Sequence, residues 1–507
     1  MVLTRYNLFI LIGMSLFLQS CGDLFELADA DIASNQAEYA APIINSTASL
    51  QDILEATDEQ VRFSVQPNGT IELIYDSEAL TISASEILLP VPVLIDIALE
   101  DSISSLSFSI IDGFRGERAV FKNNSLQFKA FVPDSDEYTI SIRIPKFLRD
   151  GKEFEYSYLI PQNSFGQEVI SDFIDLTGIE LQSGFDEIDV IYDARNSANE
   201  RIILPGFFAR LDFLIFSYLE GSFGRQVFDI PSGIIPFNTF RNYISGHINF
   251  DDPKLIIKVD NSLGLPIEPR INMLSVITRT NLNLPLTSPL FFPGNLLFDF
   301  PSLDEIGESK LTVIELDKNN SNILNILDEQ TNAILFDIDA IAFPDGDQET
   351  IGFIKDDGRI DINSELVLPV AGTVESYVLF DDYPIDSLNI ENAEELEFNL
   401  GIENGLPLGV KFQIHFVSPS YSIIDSLFPA PIEIPAASIN NDGTVNGISE
   451  FLTSQTLSDA KLRKIEPSGF IRAYIGLFQP EGRTESIAIN AENTVSVKLG
   501  ARVKLNQ

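Results

Sequence analysis

Two histidines, His247 and His415, and one cysteine, Cys21, are all the imidazole and thiol chemistry this 507-residue chain possesses. Catalysis at neutral pH usually needs a proton shuttle or an activated nucleophile. His247 sits in a Ser245-Gly246-His247 stretch that reads as a turn. His415 lies on an alternating segment, Lys411 to Val417, on the face opposite Phe412, Ile414 and Phe416. Both read as surface or strand histidines. No Gly-x-Ser-x-Gly, His-Glu-x-x-His or phosphate-binding glycine loop is present. A Cys/His zinc site is excluded by count. Carboxylates are abundant, at 75, and pairs of them could in principle hydrolyse glycosides. The aromatic platform such enzymes use for sugars is thin without any Trp.

Hard oxygen ligands clustered on loops suit calcium. Asp345, Asp347 and Glu349 gather beside Gly346, and Asp356, Asp357 and Asp361 surround Gly358. Neither set has the twelve-residue spacing of a helix–loop–helix calcium site, and both read more simply as solvated hairpin turns. A further candidate is Leu290 to Phe300 (LFFPGNLLFDF), two apolar runs flanking Pro293-Gly294. An exposed tip here would contact a partner or lipid, and inward packing would make it core. Core is the expectation. These residues predict a chain that is not an enzyme, holds no cofactor and has no assigned metal site.

Cys21 belongs to a different chemistry. Residues 1–20 carry a basic start at Arg5, then an apolar run from Leu8 to Leu18, then Leu18-Gln19-Ser20-Cys21-Gly22. The run is too short to span a bilayer and reads as the core of an export signal. The placement of Cys21 after Leu-x-Ser resembles the lipobox of bacterial lipoproteins. That resemblance implies cleavage before Cys21 and lipidation of its thiol. Each buried methylene contributes about 0.8 kcal/mol, so one acyl chain anchors marginally and two or three anchor firmly. Residues 21–40 are acidic (Asp23, Glu26, Asp29, Asp31, Glu38) and read as a linker.

The elements behind the tether are strands. Thr70 to Tyr75, Leu106 to Ile110, Ile334 to Phe343, Leu396 to Ile402 and Thr494 to Leu505 alternate with near period two. Turn signals separate them, among them Pro67-Asn68-Gly69, Asp150-Gly151, Pro344-Asp345-Gly346, Asp357-Gly358 and Pro480-Glu481-Gly482. Short helices are expected at Leu50 to Thr57, at Asn320 to Thr331, and at Ser454 to Ile465 with Ser454 or Thr456 opening it. The fold class is therefore all-β, as tandem β-sandwich-like domains. With a single cysteine no internal disulfide can staple them, and packed core must supply the stability.

An internal repeat is also expected. IIKVDNSLGLPIEPRINMLSV (256–276) matches FNLGIENGLPLGVKFQIHFVS (398–418), with Leu-Pro pairs 141 residues apart. ILFDIDAIAFPDG (334–346) matches FIRAYIGLFQPEG (470–482) at an offset of 136. Two ordered matches at nearly constant offset indicate duplication. Asn tolerates the left-handed conformation and Pro fixes a bend, so the Asn–Leu-Pro element would turn the chain between sheet edges. The pattern loosely resembles the β-sandwich modules of late-embryogenesis-abundant proteins. The expected organisation is 1–20 leader, 21–40 linker, 41–199 N-terminal β-domain, 200–382 central β-domain (first repeat) and 383–507 C-terminal β-domain (second repeat).

Taken together, Ala41-Pro42-Ile43 to Leu54, IELIYDSEALTISASEI (71–87), FSYLEGSFGRQVF (216–228), FDDPK (250–254) and the two Leu-Pro units resemble a family of uncharacterised lipoproteins of Bacteroidetes-type bacteria. The resemblance implies an address, an outer membrane reached through the lipid on Cys21, at the periplasmic face or the cell surface. It implies no activity. A formal charge of −43 disfavours nucleic acid and anionic membrane surfaces as partners, since both would repel it. The leading expectation is a non-enzymatic envelope lipoprotein that binds an envelope protein or glycan or serves structurally. A carrier with an apolar groove in its β-domains, and a glycan-active enzyme, are the alternatives.

Overall fold

The computed structural model describes residues 38–49, 61–76, 80–87, 97–99, 102–107, 110, 113–182, 184, 187–204, 206–211, 214–236, 243–327, 331–346, 349–385, 393–440 and 444–505. Cys21, the leader and the expected helix at Leu50 to Thr57 lie outside them. Of the described residues 61% are strand and 5% helix, in several antiparallel sheets with no closed barrel among them, so the all-β class holds. Alternation builds the strands. Tyr138–Arg149 buries Tyr138, Ile140, Ile142 and Ile144 and exposes Thr139, Ser141 and Arg143. Each such buried aliphatic or aromatic side chain contributes about 1.5–3 kcal/mol, which the outward residues neither add to nor oppose.

In chain order the elements that define the architecture begin with β1 (Glu38–Ser49) and β2 (Ile71–Asp76). The N-terminal sandwich uses β3 (Ile97–Ala98), β4 (Arg115–Phe121), β5 (Ser125–Phe131), β6 (Glu168–Ile170), β7 (Glu180–Gln182), β8 (Phe207–Leu211) and β9 (Phe216–Ser222). The central sandwich uses β10 (Gln226–Pro236), β11 (Lys254–Asn261), β12 (Ile267–Thr278), β13 (Asn283–Pro285), β14 (Lys310–Leu316), α1 (Ile323–Ile326), β15 (Thr331–Ala342) and β17 (Arg359–Pro369); β16 (Gly352–Lys355), between β15 and β17 in the chain, joins the N-terminal first sheet. The C-terminal sandwich uses β18 (Ala371–Pro384), β19 (Ala393–Asn404), β20 (Gly409–Val417), β21 (Ile423–Ser426), β22 (Ser449–Ser458), α2 (Asp459–Ile465), β23 (Phe470–Phe478) and β24 (Thr494–Leu505).

One strand order recurs in all three. The first sheets share the runs β16-β9-β4-β7, β2-β17-β11-β14 and β1-β24-β19-β22; the first of these sheets continues beyond β7 through Tyr138–Arg149 and Glu187–Asn196, and the second continues beyond β2 to Val61–Val65. The second sheets share the runs β3-β8-β5-β6, β10-β15-β12-β13 and β18-β23-β20-β21, the last extended beyond β18 by the strand Tyr243–Phe250. The motif pairs found in the sequence fall at matching places in this order: β11–β12 against β19–β20, and β15 against β23. In the N-terminal and C-terminal sandwiches the same edge of the first sheet is closed by a strand from elsewhere in the chain, β16 and β1 respectively, whereas in the central one the strand Val61–Val65 pairs outside β2. Pairing therefore crosses the domain limits drawn on the sequence. β1, at the start of the 41–199 stretch, lies in the C-terminal sheet. β18, which spans residue 382, belongs to that same sandwich.

The Asn–Leu-Pro element works differently from the expectation. Asn261 and Asn404 end β11 and β19, where the chain leaves one sheet for the other, and neither is in the left-handed region. Both are buried, and their side chains do the turning. Asn261 Oδ1 accepts the Leu263 N–H at 2.9 Å and Asn404 Oδ1 accepts the Leu406 N–H at 2.9 Å. Asn404 Nδ2 also donates to the Leu408 and Pro435 carbonyls, at 3.0 and 2.8 Å. These bonds satisfy backbone groups that a buried crossover would leave unpaired. The equivalent N-terminal position holds Asn124, also buried, which accepts the Ile215 N–H.

Two local expectations also change. Residues 454–458 continue β22, pairing with β19, because their period-two alternation persists; α2 starts only after Ser458. His247 is in a strand, Tyr243–Phe250, paired with Ser376, rather than in a turn. The Leu290 to Phe300 segment splits: Phe298 is buried and Leu290, Phe291 and Leu296 pack on the core, while Phe292 and Leu297 are exposed.

One apolar core runs through the N-terminal and central sandwiches. The C-terminal sandwich has its own, in which Leu396, Leu400, Val497 and Val503 of one sheet meet Phe416 of the other, with Leu462 and Ile465 of α2 packed in.

Candidate functional site

The second sheet of the C-terminal sandwich buries one face and presents the other. Ile471, Ala473 and Ile475 of β23 point inward. Arg472 and Tyr474 therefore point outward, as the period of two requires. Register places Asp382 of β18, Arg472 of β23, His415 of β20 and Ser426 of β21 in one row across this outer face. The adjoining row holds Phe380 and Tyr474.

Each member of the first row touches the next chemistry. Arg472 donates from Nε to Asp382 Oδ1 at 2.6 Å and from Nη2 to Oδ2 at 2.7 Å. The guanidinium also lies over the Phe380 ring, 4.3 Å from its centroid. The Asp382 hydrogen bonds push the Arg472 pKa further above its ordinary value, with the Tyr421 hydroxyl adding to the effect. A bidentate, half-buried pair of this kind is geometrically fixed. His415 Nδ1 is 2.9 Å from Ser426 Oγ, and its ring meets Tyr474 edge-on at 6.2 Å. Burial lowers the His415 pKa below its usual value, and the Arg472 charge lowers it further. A serine–histidine contact invites comparison with a hydrolase triad. There the group behind the imidazole is an anion that stabilises imidazolium. Here the charge acting on it is a cation, which opposes it.

Tyr421 completes the site. It sits in the β20–β21 connection, where its N–H donates to the Ser418 carbonyl at 2.8 Å and the Ser418 N–H donates to the Ser422 carbonyl at 2.9 Å. The backbone is in the left-handed region, φ +63°. That conformation is rare for a bulky aromatic residue and costs about 1–3 kcal/mol. The strain holds the ring on the Phe470 ring, centroids 4.7 Å apart and 24° from parallel, with 59% of the residue exposed. An exposed aromatic plane thus stands beside a fixed carboxylate–guanidinium pair and an imidazole. Such a set stacks against an apolar ring face and hydrogen-bonds to hydroxyls at its rim.

Of the residues singled out in the sequence, only His415 is in this site, on the face expected for it. Tyr421, Phe470, Arg472 and Asp382 carried no motif, and only the Ser418-Pro419-Ser420-Tyr421 turn composition hinted at a special loop. The second calcium candidate does not assemble, and the first includes Asp347. Asp345 and Glu349 are exposed and Asp347 lies outside the described residues. Asp356 pairs with Lys122 at 2.6 Å, Asp357 with Lys355 at 3.0 Å and Asp361 with Arg359 at 2.6 Å, so each carboxylate faces a cation of its own. Among the described residues no group of three His, Cys, Asp or Glu is placed to hold a metal. Among them, too, no helix is long and apolar enough to cross a membrane.

No family model matches this chain. No curated protein matches it either. Among solved structures it is similar to a presumed secreted protein from Parabacteroides distasonis, at TM-score 0.27 and 10% identity over 92% of this chain and 99% of that one. A second is the PBSX exported protein XepA, at TM-score 0.12 and 9% identity over 66% and 88%. A third is the infectious bursal virus T=1 particle, at TM-score 0.14 and 8% identity over 81% and 72%. Likenesses this distant carry no argument about function.

Proposed function

We propose that this chain is a non-enzymatic lipoprotein of the cell envelope, held to the outer membrane through Cys21, whose C-terminal sandwich binds a neutral glycan on the Tyr421–Arg472–His415 face. The observation that carries the binding reading is Tyr421. A protein retains backbone strain where something is gained by it, and here the strain keeps an aromatic ring exposed beside polar groups. The charge of −43 disfavours an acidic ligand, and the Asp382–Arg472 pair offers both a donor and an acceptor to sugar hydroxyls. The anchor reading is supported by Leu18-Gln19-Ser20-Cys21 and the apolar run before it. The reading of repeated modules is supported by the strand order shared by the three sandwiches.

Two measurements test the proposal. Labelled palmitate fed to cells should enter the wild-type chain and not a Cys21→Ser variant. A soluble form without the leader, screened on an array of envelope and dietary polysaccharides, should bind neutral glycans, and Tyr421→Asn should lower that affinity at least about tenfold. Binding to an envelope protein that depends on Tyr421, with no glycan bound, would keep the site and replace its ligand. No Tyr421-dependent binding of either kind would end the reading.

A further inference from the structure

We infer that β1 is a shear clamp: the strand next to the tether carries load from the membrane anchor straight into the C-terminal sandwich, bypassing the other two. The inference rests on the lipid anchor proposed above for its source of load. Its geometry is independent of that anchor.

Residues 21–37 are followed directly by β1, which pairs antiparallel with β24 from Glu38 opposite Lys504 to Ser49 opposite Thr494. The tether therefore pulls on β1 at its Glu38 end. β24 is joined to the rest of the sandwich at the other end, through Thr494, and pairs along its length with β19. Opposed forces at opposite ends of a strand pair load all its hydrogen bonds together. Forces applied at the same end would open them one at a time. The layout is the first kind. Thr47 Oγ1 donates to Ser496 Oγ at 3.0 Å, adding a side-chain tie near the far end.

Two of the sandwiches provide an internal comparison. Each has its first sheet closed at the same edge by a strand from outside it, but β16 has 4 residues and β1 has 12. The strand attached to the tether is the longer. The candidate binding face is on the other sheet of the same sandwich, and the two sheets share one core containing Val497, Leu400 and Phe416. Force between a bound ligand and Cys21 thus crosses one module only.

The test uses the full chain from Cys21 onward, made without the leader so that the Cys21 thiol, the only one, stays free as one handle in single-molecule pulling. The second handle is placed by Glu492→Cys, in an exposed turn just before β24, or by Gln507→Cys, beyond its other end. With the first, the pair is sheared; with the second, it is peeled. The first rupture is expected at a several-fold higher force with Glu492→Cys. It should release residues 38–60, about 80 Å of extended chain. Equal rupture forces in the two geometries, or a first event of a different length under shear, would overturn the clamp. Palmitate labelling decides the anchor separately. A labelled Cys21 with equal forces overturns the clamp alone, and an unlabelled Cys21 removes its role whatever the forces.

Discussion

Replacing Asn404 by alanine tests whether the buried asparagine, rather than the proline after it, holds the crossover between the C-terminal sheets. Asn404 is 1% exposed and makes three hydrogen bonds to backbone groups. Alanine would leave the Leu406 N–H without its side-chain acceptor and remove a donor from the Leu408 and Pro435 carbonyls. A buried polar group left unsatisfied costs about 1–3 kcal/mol, more reliably for a donor than for a carbonyl, which has a second lone pair. The change should therefore destabilise the C-terminal sandwich by roughly 3–5 kcal/mol. Asn261→Ala removes two such bonds, one to the Leu263 N–H and one to the Asp299 carbonyl, and should cost its sandwich less, about 2–3 kcal/mol. Urea unfolding followed by circular dichroism and tyrosine fluorescence reads both, since the chain has no Trp. Several domains unfold here, so limited proteolysis should assign each transition to its sandwich. A loss below about 1 kcal/mol for Asn404→Ala would refute the reasoning, because it would mean the turn is set by backbone geometry alone.

Four further outcomes follow from the same structure. Tyr421→Asn relieves left-handed strain and loses the stack on Phe470, effects of about 1–3 and 0.5–1.5 kcal/mol, so stability should stay level or rise slightly in thermal melts while glycan affinity falls. Arg472→Met leaves the half-buried Asp382 without its bidentate partner and should cost about 1–3 kcal/mol in urea unfolding, whereas a surface ion pair would cost under about 1. Gly409→Ala places a methyl 2.3 Å from the Phe478 ring and should cost about 1–3 kcal/mol by the same assay, because the ring must shift within a packed sheet. The His415 pKa is lower folded than unfolded, so the unfolded chain binds the extra proton first as pH falls. The His415 contribution to stability is therefore constant above about pH 7 and is lost as pH drops through 6.5 toward the folded pKa; His415→Gln should be less sensitive across that window, read by melts at each pH.

Period-two alternation made the strands legible, and Thr494 to Leu505 matches β24 residue for residue because both of its faces meet strongly different surroundings. The start of α2 is not legible locally, because Ser454 and Thr456 are good cap residues and a local pattern cannot show that β19 is there to pair with them. The partner of β1 was invisible for a related reason: Thr47 and Ser496 are 449 positions apart, and nothing in either segment names the other. At the candidate site, His415 could be placed on its outward face by alternation alone. Arg472 and Asp382, 90 positions apart, meet only through the sheet order, and the strain at Tyr421 is a backbone property that its residue type argues against.

The measurement that bears most directly on the account is binding of neutral polysaccharides by the soluble chain, run side by side with its Tyr421→Asn and Arg472→Met variants. Saturable binding by the wild type, reduced at least about tenfold in both variants while their folds persist by circular dichroism, is the predicted result. Binding that is unchanged in both variants would contradict it, because the face built on Tyr421 would then have no part in what this protein holds.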